Sequence, residues 1–182
     1  AADALEKAIR ESKDLVSDTA SALWMRVAGW RKDKLSDAAG AERAFEEALK
    51  HDATSENILR AIEGLQRAPG REKDLVGTLR RLSALDGLES QSGDLRREAK
   101  GLAEGVLKDD ALAEAILRDM LKTDENDAWA LAELTKLREK TGDFKEVFTL
   151  LVRQAELAAE ADTVRELRHA AAQVAREKLS NN

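Results

Sequence analysis

Residues 124–157 read DENDAWALAELTKLREKTGDFKEVFTLLVRQAEL and contain two amphipathic helix patterns. Asp127 supplies a side-chain acceptor at the start of the first pattern, and Gly142 lies in the turn that separates the two. No segment of the chain alternates apolar and polar residues, so strands are not predicted. The stretch predicts a hairpin of two helices, over 127–140 and 143–160.

The same pattern occurs elsewhere in the chain at an interval of 72 residues. The units cover residues 23–94 and 95–166, and a partial third unit covers 167–182. A fixed interval predicts an array, and arrays of this kind are most often binding scaffolds. The matching residues are Leu23, Gly29, Leu35, Asp37, Ala41, Glu42, Leu49, Lys50 and Asp52 over Leu95, Gly101, Leu107, Asp109, Ala113, Glu114, Leu121, Lys122 and Asp124.

Apolar spacing and turn residues together predict an all-α fold of about ten helices, arranged as one solenoid over residues 1–182. Helix 3–17 is interpreted as the end of a preceding repeat. The joint at 87–93, the longest, is interpreted as a flexible junction between the two units. The predicted helices are 3–17, 22–35, 38–51, 55–68, 71–86, 94–108, 110–122, 127–140, 143–160 and 163–179.

Composition and charge exclude several classes of function. The net charge of −6 argues against a protein that binds duplex nucleic acid, because such proteins meet phosphates with Lys and Arg. The chain has no Cys, which excludes disulfides and Cys metal sites. It also has no apolar run of the ~20 residues that a membrane-spanning helix needs.

The ends of the chain bear on its origin. It begins without Met and stops inside a third copy, so we expect a segment of a longer protein. No signal pattern precedes the first helix, and a cytoplasmic location is the default. The Ala- and Arg-rich composition is typical of a GC-rich bacterial source.

The hairpin at 124–157 resembles a tetratricopeptide repeat. Gly142-Asp143-Phe144 is similar to the family's Gly-Asp-Tyr turn, and Ala41, Phe45 and Ala48 match its second helix in an earlier hairpin. The family's Pro after the second helix is missing throughout, and the first helices near 22 and 94 carry a rotated apolar face. Over about residues 22–160 the resemblance implies a right-handed α-solenoid of antiparallel hairpins, which acts as a non-catalytic protein-interaction scaffold.

The resemblance also implies a site, because tetratricopeptide proteins bind partners in the concave groove lined by the first helix of each hairpin. Val27, Ala61, Ala99 and Glu133 stand where chaperone-binding members have the Asn of a carboxylate clamp, so such a clamp is excluded. The cationic groove favours an acidic partner peptide, while the alternative is a set of ordinary solvated charges. The matching residues are Arg26, Lys34, Arg60, Arg67, Trp129, Lys136 and Lys140.

The residues that carry chemistry in other proteins form no recognisable site. His51 and His169 lie in different copies without metal-ligand spacing, and no phosphate-binding or nucleophile motif occurs. We therefore predict no catalytic residue, no cofactor and no metal. Two alternatives to a binding scaffold stay open: a structural module that self-associates end to end, and a regulatory domain of a larger protein.

Helical spacing also predicts which side chains form the core. Trp30 shares a face with Leu23 and Val27 and is interpreted as core. Trp24 and Trp129 either fill the gap to the preceding hairpin or anchor a partner. The remaining core residues are expected to include Phe45, Leu49, Leu79, Leu117, Leu121, Leu134, Phe148 and Leu151.

Overall fold

The computed structural model describes residues 1–12 and 14–179, and within these ranges the fold is all-α, as predicted. No strand occurs among the described residues, and Ala175–Leu179 form a π-helical turn after the last α-helix. The α-helices of the described residues are α1 (Ala2–Glu11), α2 (Ser17–Leu35), α3 (Ala38–Leu49), α4 (Glu56–Gln66), α5 (Glu72–Leu82), α6 (Glu89–Gly105), α7 (Asp110–Thr123), α8 (Ala128–Thr141), α9 (Phe144–Leu157) and α10 (Ala161–Val174).

The chain divides into two compact units, Ala1–Leu102 and Ala103–Asn182. The first unit contains α1 to α5 and most of α6. The second contains the end of α6 and α7 to α10. A single solenoid over residues 1–182 stays a prediction.

Helices α2 and α6 each start five residues earlier than predicted, and the predicted joint at 87–93 is wrong. Helix α6 begins at Glu89, so the connection before it is only residues 83–88. The Ser92 hydroxyl donates to the Ser83 carbonyl at 2.7 Å, which holds the first turn of α6 against the end of α5. At the N-terminus, α1 ends at Glu11 instead of residue 17, and α2 begins at Ser17 instead of residue 22.

Corresponding helices of the repeat begin 72 residues apart. Helices α2, α6 and α10 begin at residues 17, 89 and 161. Helices α3 and α7 begin at 38 and 110, α4 and α8 at 56 and 128, and α5 and α9 at 72 and 144. The helix starts therefore repeat with the same interval as the sequence, whereas the helix ends differ: α5 ends at Leu82 and α9 at Leu157, three residues further along the repeat.

The turn before the second helix has the same geometry in each unit. Ser36 and Lys108 both adopt the left-handed conformation, at φ of 52° and 55°. The next residues, Asp37 and Asp109, cap α3 and α7 by accepting a hydrogen bond from the backbone N–H three residues later. A side-chain acceptor there satisfies an N–H group that the helix leaves free.

In the second unit, ion pairs and hydrogen bonds show that consecutive helices run antiparallel. Lys140 at the end of α8 pairs with Asp110 at the start of α7, with 2.6 Å between Nζ and Oδ2. Gln154 near the end of α9 donates to Thr135 in the middle of α8 at 2.8 Å. The apolar side chains between these helices form one cluster: Leu117, Met120, Ala130, Leu131, Leu134, Leu137 and Leu150.

The first unit buries Trp24, which is only 3% exposed, so this side chain fills the gap between α1 and α2. The Arg10 guanidinium of α1 lies 5.2 Å from the centre of its ring. The predicted stripe of α2 is wrong at Trp30, which is only half-buried, although Val27 is buried. Of the other expected core residues, Phe45, Leu49, Leu79, Leu117, Leu134 and Leu151 are buried, while Leu121 and Phe148 are partly buried against the apolar clusters.

Candidate partner-binding face

The predicted partner-binding residues lie on α2, α4 and α8, each the first helix of a hairpin, except Arg67, which directly follows α4. On α2, Arg26, Trp30 and Lys34 follow at four-residue spacing and so form one stripe. The Arg26 guanidinium lies 4.8 Å from the centre of the Trp30 ring, a cation–π contact. Lys34 is exposed and makes no ion pair among the described residues.

Arg60 of α4 and Arg67, the residue that follows the helix, both pair with Glu63, which lies between them in sequence. Arg60 Nη1 is 3.0 Å from one carboxylate oxygen of Glu63, and Arg67 Nη2 is 2.5 Å from the other. Both arginines also reach α6: Arg60 donates to Gln91 at 2.7 Å, and Arg67 pairs with Glu98 at 2.7 Å. The two arginines thus link α4 to α6, and their charge is balanced within the chain.

The environment of Glu63 favours its ionised form. Burial alone opposes ionisation, but the hydrogen bonds from Arg67 and Arg60 outweigh it and hold the pKa of Glu63 below its ordinary value of 4.5. The same contacts raise the pKa of Arg67, where Glu98 contributes most and Glu63 next. Glu63 is therefore ionised near neutral pH.

On α8, the three predicted residues have different surroundings. Trp129 is half-buried and packs against the apolar cluster between α7, α8 and α9. Lys140 forms an ion pair with Asp110 of α7. Lys136 is exposed and pairs only with Glu133 of its own helix, at 2.6 Å, an arrangement that contributes little energy and leaves the ammonium accessible.

An apolar groove opens between α8 and α10, next to the end of α9. We call it the α8–α10 groove; its volume is about 270 Å³. Leu131 of α8, Leu157 of α9 and Leu167 of α10 line it, and Glu160 is its single charged lining residue. The other lining residues are Ala128, Gln154, Ala158, Ala159 and Thr163.

A larger, charged cleft of about 480 Å³ lies in the first unit, between α1, α2 and α3. Arg31 is at its centre and pairs with Glu6 at 2.7 Å and with Asp37 at 2.9 Å. The Arg31 hydrogen bond holds the pKa of Glu6 below its ordinary value. Through these ion pairs Arg31 of α2 is joined to α1 and to the residue that caps α3, so the charged residues around it link neighbouring helices.

No group of His, Asp and Glu in the described part of the chain is arranged to hold a metal ion. His51 and His169 are both exposed. Among the helices of residues 1–12 and 14–179, none is both long and apolar enough to cross a membrane.

The α8–α10 groove was missed by sequence reasoning, although the repeat contains a signal. The position of Glu160 corresponds, 72 residues earlier, to Leu88, and a change from Leu to Glu between copies is a large change in polarity. The spacing of apolar residues in helices does not reveal this difference, because Leu88 and Glu160 both lie just before the first turn of a helix. Only the packing shows that this position faces a groove.

The chain was compared with protein-family models, curated proteins and solved structures. No family model and no curated protein matches it. The crystal structure of MamA protein aligns with 88% of this chain and with 90% of its own chain, at a TM-score of 0.42 and 16% sequence identity. A likeness with a TM-score below 0.5 carries no argument about function.

Proposed function

We propose that this chain is a non-catalytic scaffold that binds a protein or peptide partner along the face formed by the first helices of its hairpins. The observation that carries the proposal is the exact repetition of helix starts at 72-residue intervals. Stacked hairpins place the corresponding helix of each repeat on one surface, and such extended surfaces bind long segments of partner proteins. The tetratricopeptide-like turn at Gly142-Asp143-Phe144 supports the same reading.

The charged residues of the described chain support a non-catalytic role. General acid–base catalysis needs titratable groups whose pKa values are held apart in a common pocket. Here arginines lower the pKa values of Glu6 and Glu63, and hydrogen bonds from backbone N–H groups lower those of Glu72 and Glu89, so these carboxylates are kept ionised. Such pairs stabilise a fold and leave no proton to transfer near neutral pH.

Within the proposed face, the predicted cations differ in what they offer a partner. Arg60, Arg67 and Lys140 already pair with carboxylates of neighbouring helices. Lys34 and Lys136 are exposed, and Arg26 presents a guanidinium stacked on Trp30. We place the acidic side chains of a partner against Arg26, Lys34 and Lys136, and its apolar contacts at Trp129 and the α8–α10 groove.

The test is affinity capture from a lysate of the source cells, followed by reconstitution with the purified captured protein. One bait carries Lys34→Glu and Lys136→Glu on the proposed face. The matched control carries Lys73→Glu and Lys145→Glu, two exposed lysines near the starts of α5 and α9 that are equivalent in the two units. All four changes reverse charge at exposed positions, so folding is expected to be preserved.

We expect the face variant to bind the partner about tenfold more weakly, because each removed contact becomes a repulsion. The control variant should bind as the unaltered chain does. Equal binding by both variants would contradict the proposed face. Capture of nothing except further copies of the chain would favour self-association over a separate partner.

A further inference from the structure

The place in the first unit that corresponds to the α8–α10 groove is filled by the chain itself. Leu88, in the connection between α5 and α6, is only 5% exposed, and Leu95 of α6 is 7% exposed. Their counterparts 72 residues later are Glu160 and Leu167, which line the groove. The position just before the helix is therefore a buried leucine in the first unit and an exposed glutamate in the second, where the connection before the helix is residues 158–160 instead of residues 83–88.

The side chains around the groove show the effect of losing this leucine. Leu157, the counterpart of the half-buried Leu85, is 41% exposed and is one of the few exposed large apolar residues in the described chain. Leu167 is half-buried where Leu95 is buried. Exposed leucines lining a concave site mark a surface that another molecule covers.

The mouth of the groove is also open in the second unit alone. In the first unit, Arg60 of α4 spans to Gln91 of α6 at 2.7 Å. The counterparts in the second unit are Ala132 and Thr163. Since the methyl group of alanine is too short to reach α10, no equivalent bridge forms across the groove.

The volume and the charge of the α8–α10 groove limit what it can bind. A volume of about 270 Å³ lies below the ~300–1,000 Å³ of typical small-molecule pockets and suits one or two side chains. Glu160, the single charged lining residue, is exposed and makes no ion pair among the described residues. An occupant that brings a cation beside its apolar side chain satisfies this carboxylate.

We propose that the α8–α10 groove docks a partner segment that inserts a leucine-sized apolar side chain between Leu131 and Leu167 and pairs a neighbouring Lys or Arg with Glu160. Leu88, which is buried at the corresponding position of the first unit, shows the kind of side chain that we expect the partner to insert. The inference rests on the proposed binding function and specifies one of its contacts. It assigns a cationic residue to this end of the partner, next to the acidic residues proposed for Lys136.

The test uses a synthetic peptide of residues 83–92, SALDGLESQS, in which Asp86→Lys and Glu89→Lys make the segment cationic. Titration into the full chain is followed by NMR of the leucine methyl groups. We expect the largest shifts at Leu131, Leu157 and Leu167. Within the same peptide, Leu88→Ser should weaken binding about tenfold or more, because the leucine supplies most of the buried apolar area.

The charge requirement is tested with the unchanged acidic peptide. We expect it to bind about threefold more weakly than the cationic peptide at low salt, with the difference shrinking as salt is added. Equal affinity of the two peptides at low salt would contradict the proposed ion pair between Glu160 and a cationic residue of the partner. Methyl shifts that appear elsewhere and leave Leu157 unchanged would overturn the groove itself.

A chain variant gives an independent readout. Glu160→Leu supplies the leucine that the first unit has at this position, so it should fill the groove, abolish peptide binding and raise the unfolding midpoint. Glu166→Leu adds the same side chain at an exposed position of α10 outside the groove and should leave peptide binding intact. Unchanged peptide binding by Glu160→Leu would contradict the inference.

The experiments can contradict either proposal without contradicting the other. If the lysine variants lose the captured partner while the cationic peptide never binds, the groove inference fails and the scaffold function stands. If the peptide binds at the groove but no partner depends on the first-helix face, the proposed function fails at that face.

Discussion

Glu63 is a buried carboxylate whose two oxygens are held by Arg60 of its own helix and by Arg67, which follows the helix. Because its pKa lies below 4.5 in the folded chain, folding favours the ionised form. The stability that results is present above pH 4.5 and is lost as the pH falls through the lower pKa of the folded state.

We predict that Glu63→Gln lowers the free energy of unfolding by about 1–2 kcal/mol at pH 7, since Arg60 and Arg67 lose a charged acceptor but keep others. The difference from the unaltered chain should shrink as the pH falls below 4.5 and should be lost below the lower pKa of the folded state, where the carboxylate is protonated in both states. Urea unfolding at several pH values measures it. Glu166→Gln, at an exposed position of α10, is the control, and a difference that stays constant down to pH 3 would contradict the argument.

Two glycines show that the effect of a glycine-to-alanine substitution on stability depends on where the glycine lies in its helix. Gly142 follows α8 at a φ of 80°, and its N–H and that of Asp143 close the helix on the carbonyls of Glu139 and Arg138. Gly101 lies inside α6, where an added Cβ meets nothing within 4 Å.

We predict opposite signs for the two alanine substitutions. Gly142→Ala should destabilise the chain by about 1 kcal/mol, because a Cβ is unfavourable in the left-handed region. Gly101→Ala should stabilise it by about 0.5–1 kcal/mol through helix propensity. Thermal unfolding of both variants checks this pair, and a stabilised Gly142→Ala would show that the turn after α8 relaxes.

At the scale of the whole molecule, two equivalent core residues lie in different compact units. Phe45 of α3 and Leu117 of α7 are 72 residues apart and are both buried. In repeat proteins each hairpin draws its stability from itself and its neighbours. Damage at one of these residues should therefore act mainly within its own unit.

We predict that Phe45→Ala and Leu117→Ala each cost about 2–5 kcal/mol, the usual range for emptying a core position. Native-state hydrogen exchange should show lost protection in α3 and α4 for the first variant and in α7, α8 and α9 for the second. A loss spread evenly over the described chain in both variants would mean that the units unfold together. A cost below about 0.5 kcal/mol would mean that the residue is not part of the core.

The sequence by itself determined the helical class, the order of the helices and their 72-residue interval, because apolar spacing and capping residues act between near neighbours. It missed the starts of α2 and α6, since the polar segments there resemble turns and propensity is only a weak guide. Contacts between distant residues decided the rest. The burial of Trp24, the pairing of Arg60 and Arg67 with α6 and the open groove at Glu160 each depend on which helix lies alongside, and that is a property of the folded chain alone.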